Sequence, residues 1–456
     1  MKKSLLAVAA IGAFASAAQA QSSVTVYGIL DVGYIGSNAK EGAPALTGNQ
    51  AAKIQKSAFG QSAEQTSRLG FKGTEDLGGG ASAFFTVELG LTPANSELSG
   101  GTAEDRFQRN TNGSGSAVDN RQSFVGLKKN GIGQFAFGRQ YTPVFNTGAD
   151  TSAGQYNNVV GDLVYAGNSS AYGASTSYSG GNNNGIGFTN RASNAFTAQS
   201  DKFMGFQVGG MYALNNTNQT EIAAPGTTAT AASGGTTNWG GWGLNGNFTW
   251  QKLYIGVAYQ SFKTAYSTGA TAANSVQNLN SVGVTAGQLI AAPGATSATA
   301  STTALFPAAQ ISDKQTLVGA TYDFGILKAY AQWVGRKVQN DYTTTADKSG
   351  AGLAAAGAGE QFNRTAQQIG VRSYITPTIE AWGSIGNGKI KSVVDTATLN
   401  FTGWQLGSNY YLSKRTNLYA IYGQSNTSSA SNSATSVTAG SGAGANQYAL
   451  GVRHTF

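Results

Sequence analysis

The chain has 456 residues, no cysteine, one histidine and a net charge of +8, and only 11% of its residues are charged. The lack of cysteine rules out disulfides and thiolate metal sites, and basic residues spread along the chain rather than gathered in a stripe argue against nucleic-acid binding. A soluble domain carries about 25% charge, so this low value beside 63 glycines, 20 tyrosines and 21 phenylalanines fits strands that alternate between lipid and water.

The chain begins with Met1-Lys2-Lys3, an apolar stretch from Leu5 to Ala15, and Ala18-Gln19-Ala20. A positive start, a short apolar core and a small-x-small end mark a secretory signal peptide over 1–20, leaving 21–456 as the barrel domain. No later stretch approaches the ~20 apolar residues of a membrane helix, so a membrane crossing would be made by strands.

Period-two alternation between turn clusters predicts sixteen strands. They lie near 23–36, 65–74, 80–91, 119–129, 132–140, 184–191, 202–214, 239–250, 252–264, 312–323, 326–338, 364–375, 378–391, 398–412, 416–425 and 446–456. In the first, Val24, Val26, Leu30, Val32 and Tyr34 share a face opposite Thr25, Tyr27 and Asp31. In the last, Tyr448, Leu450, Val452, His454 and Phe456 alternate with Gln447, Ala449, Gly451, Arg453 and Thr455. Connections alternate in length. Short ones such as Asn130-Gly131, Gln251-Lys252 and Ser413-Lys414-Arg415 separate long Gly/Ala/Ser/Thr/Asn-rich stretches such as 38–61, 92–118, 141–183, 265–311, 339–363 and 426–445. Tight turns at one end and long loops at the other are the layout of an all-β, membrane-spanning, sixteen-stranded antiparallel barrel; a soluble sandwich would not sort its loops by parity.

Several segments carry a family resemblance over the whole of 21–456. They are Ser23-Val24-Thr25-Val26-Tyr27-Gly28-Ile29-Leu30-Asp31, Ser67-Arg68-Leu69-Gly70-Phe71-Lys72-Gly73-Thr74-Glu75-Asp76-Leu77-Gly78, Arg121-Gln122-Ser123-Phe124-Val125-Gly126-Leu127, Phe135-Ala136-Phe137-Gly138-Arg139-Gln140 and Gly451-Val452-Arg453-His454-Thr455-Phe456. In this order, behind a signal peptide, the chain resembles the sixteen-stranded general-diffusion porins of Gram-negative outer membranes, and most of all their beta-proteobacterial branch. The resemblance implies a homotrimer of water-filled pores in outer-membrane lipid and lipopolysaccharide. It also implies short periplasmic turns, long external loops, an inward-folded third loop, and a terminal aromatic, Phe456, read by the barrel assembly machinery. No cofactor and no metal is expected, and small hydrophilic solutes are the expected cargo.

The resemblance places Arg68 and Arg121 among the family's wall arginines, facing acids on the third loop. Alternation supports Arg68 independently: Leu69 and Phe71 take the lipid side, so Arg68 and Lys72 point to the lumen. A charge facing lipid near the midplane would cost roughly 2–4 kcal/mol. Glu88 reads inward opposite Phe85, Val87 and Leu89, and Arg336 and Arg372 read inward by the same test. The phase of Arg121 is open, because Phe124 and Val125 point to opposite faces. The third loop, 141–183, offers Asp150 and Asp162 as acids; the family's Pro-Glu-Phe-Gly-Gly stretch is absent from it. The candidate constriction is therefore Arg68, Lys72, Arg121, Glu88 and Asp150, and several wall cations against few loop acids predict modest anion preference. Arg139 shares a face with Phe135 and Phe137. An outward arginine needs a partner: the resemblance implies a subunit interface with Glu104, Asp105 or Asp119 of a neighbour, and the alternative is snorkelling to headgroups.

An enzymatic barrel would need a nucleophile and a base, but the one histidine, His454, falls on the predicted outer face and no cysteine exists. No catalytic residue is therefore expected. A sugar-specific channel would use a run of lumen-facing aromatics, for which Tyr27, Tyr254, Tyr330 and Tyr411 are candidates.

Overall fold

A computed structural model describes residues 23–41, 52–94, 98–99, 119–164, 191–219, 235–268, 308–340, 360–392, 398–427 and 443–456. The expected signal peptide, Glu104 and Asp105 lie outside them. Among the described residues there are seventeen strand segments: β1 (Ser23–Glu41), β2 (Ala52–Gln61), β3 (Arg68–Gly78), β4 (Ala81–Gly90), β5 (Asp119–Lys129), β6 (Gly133–Tyr141), β7 (Arg191–Ser200), β8 (Phe206–Gln219), β9 (Gly235–Trp250), β10 (Leu253–Thr268), β11 (Ala308–Asp323), β12 (Lys328–Asn340), β13 (Glu360–Thr376), β14 (Ile379–Ser392), β15 (Thr398–Tyr411), β16 (Thr416–Thr427) and β17 (Ala443–Thr455). They make sixteen barrel strands, because β2 and β3 are two parts of one. Ser23–Ile29 of β1 pairs with β3, and Val32–Glu41 pairs with β2.

Every pairing is antiparallel, and β1 returns to β17 from Ile29↔Thr455 to Lys40↔Gly444. The sheet is thus closed. Closure is what hydrocarbon demands, since an open edge would leave a row of backbone groups without partners. Among the described residues no helix is long and apolar enough to cross a membrane. Large apolar side chains point outward: Val24, Val26, Phe137, Leu244, Leu406 and Leu450 are each about half exposed or more. Tight turns join the strands at one end, with left-handed glycines at Gly78, Gly79 and Gly80, at Gly131 and at Gly325. Such positions favour a residue without Cβ.

Two strands differ from the sequence reading. Residues 52–61, assigned above to a loop, form β2. Lys53, Gln55 and Ser57 are all exposed on this segment, so no apolar stripe marks it. The sixth strand is Arg191–Ser200 rather than 184–191. Its alternation is broken at Asn194, which has φ of 50°, where the register against β6 slips between Gly138 and Gln140.

The first interruption of the wall lies inside the barrel. Between β2 and β3, residues 62–67 leave the ladder and turn around Asp31. Asp31 Oδ2 accepts the backbone N–H groups of Glu64 (2.8 Å) and Gln65 (2.7 Å), and Oδ1 accepts the Tyr419 hydroxyl (2.6 Å). Asp31 is fully buried, so these donors replace the water it has lost.

Candidate constriction and the seated third loop

The third long connection follows β6. Thr142 caps a helix, α1 (Pro143–Asp150), by accepting the N–H of Phe145, with Pro143 in the first turn. A hydroxyl cap followed by proline is a strong local start signal. α1 packs against β9, β10 and β11, and the chain then runs along the inner wall. Gln332 Nε2 donates to Gly148 O (2.7 Å) and Thr151 Oγ1 (2.8 Å). Arg372 donates twice to Ala153 O, at 3.0 and 2.7 Å. Asn157 bonds Gln405 (2.9 Å), Leu163 N–H reaches Gln368 Oε1 (2.9 Å), and Arg364 donates to Leu163 O (2.6 Å). The turn of the loop meets the interrupted strand: Asn158 Nδ2 donates to Ser62 O (2.6 Å), and Val160 N–H reaches Gln447 of β17 (3.0 Å).

Two features of the wall explain this path. Where the loop passes, inward wall positions are glycine. A Cβ on Gly256 would meet Thr147, on Gly319 Thr151, on Gly370 Ala153 and on Gly403 Leu163. The wall is also apolar there: Val144, Leu163 and Val164 of the loop pack with Leu317, Val334 and Phe401 of the strands. Part of the barrel interior is therefore a dry contact rather than a water-lined surface.

The basic cluster stands on the β3–β7 wall. Arg121 Nε donates to Glu88 Oε1 at 2.8 Å and its NH2 to the Tyr141 hydroxyl at 2.7 Å. Arg68 lies 3.8 Å from Glu88 Oε2 and donates through Nε to Thr66 O (2.9 Å). The open phase of Arg121 is resolved by a bulge. The register shifts between Glu88↔Gln122 and Leu89↔Asn120, leaving Arg121 as the extra residue that is re-aimed inward. Lys72 is exposed to the lumen, with its Nζ 5.4 Å from the centre of the Tyr27 ring.

Arg191, which sequence reasoning passed over, joins this cluster. Its guanidinium lies 4.9 Å over the Tyr141 ring, within cation–π range. It opens the strand whose bulge obscured the periodicity, so no pattern singled it out.

Asp150 stands apart from the cluster. Its Oδ2 accepts the Tyr254 hydroxyl at 2.8 Å, and its charged neighbours are Lys328 and Lys202. Burial pushes its carboxyl above the ordinary value, against the pull of Tyr254 and these lysines. Asp162 is internal to the loop, bonded to Ser152 Oγ (3.3 Å) and the N–H of Val164 (3.0 Å). Arg336 forks onto Asp313 at 2.6–3.1 Å, and Arg372 pairs with Glu380 at 3.0 Å.

Arg139 lies on the outer face, opposite Ser123 in the register and on the side of Val125, Phe135 and Phe137. It donates to Asn120 O (2.7 Å) and Ser193 Oγ (2.8 Å), bridging β5 and β7 across β6. Phe456 completes the seam: its backbone exchanges hydrogen bonds with Gly28 at 3.0 and 3.1 Å, and its ring covers the space a Cβ on Gly28 would fill. An apolar cavity of about 760 Å3 is lined by Leu127, Phe135, Phe196 and Leu244 on the outer wall; it is no part of the channel.

The family model for Gram-negative porins matches residues 7–430. An outer membrane porin protein of Bordetella pertussis is 40% identical over 146 residues, 31% of this chain and 34% of that protein. Outer membrane porin protein 32 of Delftia acidovorans is 46% identical over 88 residues, 19% of this chain and 22% of that protein. These matches span about a third of the relatives' length or less. Among solved structures, an anion-selective porin from Comamonas acidovorans superposes with a TM-score of 0.57 at 19% identity, covering 96% of this chain and all of that one; at that identity the likeness is one of fold.

Proposed function

Because the chain belongs to the Gram-negative porin family, whose barrels sit in the outer membrane, we propose that it forms a water-filled channel for passive diffusion of ions and small hydrophilic solutes, with a modest preference for anions. Residues 1–20 are its export leader in this reading. The observation that carries the anion preference is an asymmetry of exposure. Asp31, Glu64, Glu88, Asp162, Asp313 and Glu380 are buried, most of them against a cation, a hydroxyl or a backbone N–H, and so are Arg121, Arg191, Arg336 and Arg372; Asp150 is exposed but held by the Tyr254 hydroxyl. Lys72 is exposed and the Arg68 side chain keeps 21% of its surface. A passing ion therefore meets Lys72 and Arg68 directly, with Asp150 as the opposing exposed acid, and a narrow low-dielectric passage magnifies the remaining difference.

Planar-bilayer recording in a KCl gradient tests the reading. Single-channel steps with a reversal potential on the anion side are expected, and Arg68→Gln with Arg121→Gln together should move that potential towards cations. A chain that inserts without conducting would overturn the channel, and a cation-selective wild type would overturn the preference. The lone histidine, His454, bonds Thr416 at 2.8 Å near the chain end and points away from the lumen, which favours a channel over a hydrolase.

We also infer a homotrimer, with Arg139 and the Phe135–Phe137–Phe196 cluster at the subunit contact. These rings lie 4.9–6.2 Å apart and are 37–56% exposed. The same surface leaves part of the barrel for lipid and lipopolysaccharide.

A further inference from the structure

Three of the four lumen tyrosines that the sequence singled out share one chemistry. Tyr27 donates its hydroxyl to Glu88 at 3.1 Å, Tyr254 to Asp150 at 2.8 Å, and Tyr411 to Glu380 at 2.9 Å. All three phenols lie on different walls, on β1, β10 and β15. Tyr254 and Tyr411 stand beside the tight turns, within two residues of their strand ends. A sugar-binding track would turn hydroxyls and ring faces towards a solute. Here the hydroxyls of Tyr27, Tyr254 and Tyr411 are already spent on carboxylates.

We propose that the hydroxyls of Tyr27, Tyr254 and Tyr411 are specificity-determining groups of the channel, holding lumen carboxylates against the wall so that the exposed field is set by the cations. The proposal rests on the anion-preferring reading above. A tyrosine hydroxyl is neutral, so it leaves the charge of its partner unchanged and fixes only its position. Without it, a carboxylate oxygen left unpaired against protein is costly, and the side chain turns to the water that is available, which is the lumen. An acid so released faces the stream of ions and weakens the preference for anions.

Asp150 gives the sharpest case. It ends α1 and its residue already borders open space, so what Tyr254, its hydrogen-bond partner among the described residues, fixes is where that carboxylate lies. Glu88 and Glu380 have arginines as well, at 2.8 and 3.0 Å, so loss of a hydroxyl moves them less. The order of effect should be Tyr254→Phe first, then Tyr411→Phe and Tyr27→Phe. Tyr330 supplies the comparison, since its ring sits 5.3 Å from Lys328 Nζ and holds no acid.

The test is zero-current potential in a KCl gradient at neutral pH, on folded channels of wild type, Tyr254→Phe, Tyr411→Phe, Tyr330→Phe, Asp150→Asn and the Tyr254→Phe/Asp150→Asn pair. Expected are a shift towards cations in Tyr254→Phe, a smaller one in Tyr411→Phe and none in Tyr330→Phe. In the Asp150→Asn background the Tyr254→Phe shift should vanish, because the acid it releases is gone. Unchanged potentials in both Tyr254→Phe and Tyr411→Phe, or a Tyr254→Phe shift that persists without Asp150, overturn the proposal. A wild type that prefers cations overturns the anion reading instead; the tyrosine shifts would still be measured on that baseline.

Discussion

Asp150 couples the field of the lumen to pH. Its carboxyl is pushed above its ordinary value by burial, and a free aspartate titrates at about 3.9. Its carboxylate therefore loses its charge at a higher pH on acidification than a free aspartate would. Removal of a negative charge makes the lumen more positive, so anion preference should rise as pH falls, beginning above the ordinary carboxylate range. Reversal potentials recorded from neutral to acid pH should show this rise, and Asp150→Asn should remove its early part. Arg121 teaches a different lesson at the same scale. Simple alternation from Val125 would turn it outward, and one extra residue in β5 turns it in. The arginine and its neighbours were visible in the sequence; the bulge that aims it was not, because a one-residue slip leaves no mark in residue type.

At the scale of elements, strands announced themselves wherever one face met lipid. β1 and β10 carry clear alternation, whereas in β2 the exposed Lys53, Gln55 and Ser57 share the outward row and leave Phe59 alone to mark it. The loop-side half of the site was the least legible. Asn157 and Asn158 look like ordinary loop residues, yet they bond Gln405 and Ser62 across more than ninety positions of chain. Asn158→Ala should release the loop turn from the interrupted strand. Losing its bond to Ser62 leaves a buried carbonyl unpaired, a cost of about 1–3 kcal/mol, so a larger and noisier conductance is expected in single-channel records, with the barrel intact by circular dichroism. Arg139 belongs to the same scale, because it ties three strands together at the outer face. Arg139→Ala should lower the temperature at which trimers dissociate on semi-native gels while leaving the conductance of each pore nearly unchanged. A conductance loss as large as the loss of trimer would place Arg139 in the channel instead.

For the whole molecule, the sequence-level reading of strand number, loop parity and closure agrees with the barrel observed, and all three follow from one requirement: backbone groups in hydrocarbon must pair within the chain. Phe456 sits where that requirement is completed, pairing with Gly28 across the seam between β17 and β1. Deleting it removes one partly exposed ring, worth at most about 1.5–3 kcal/mol. The deletion should lower the amount of folded trimer in cells, measured by surface fractionation, by more than it lowers the thermal stability of purified barrels, because we propose that the assembly machinery reads this terminus.

The third loop crosses that same seam. Asn158 is bonded to the segment between β2 and β3 on one side, and Val160 to Gln447 of β17 on the other; Tyr419 and Arg453 reach Asp31 and Glu64 over the same gap. Such an arrangement orders events in time. Once β1 has zipped to β17, the loop can reach these partners only through the mouth of the barrel. Seating of residues 143–164 is therefore expected to be easier before the final strand pairing than after it. The lining of the channel is in this sense a checkpoint on its own assembly.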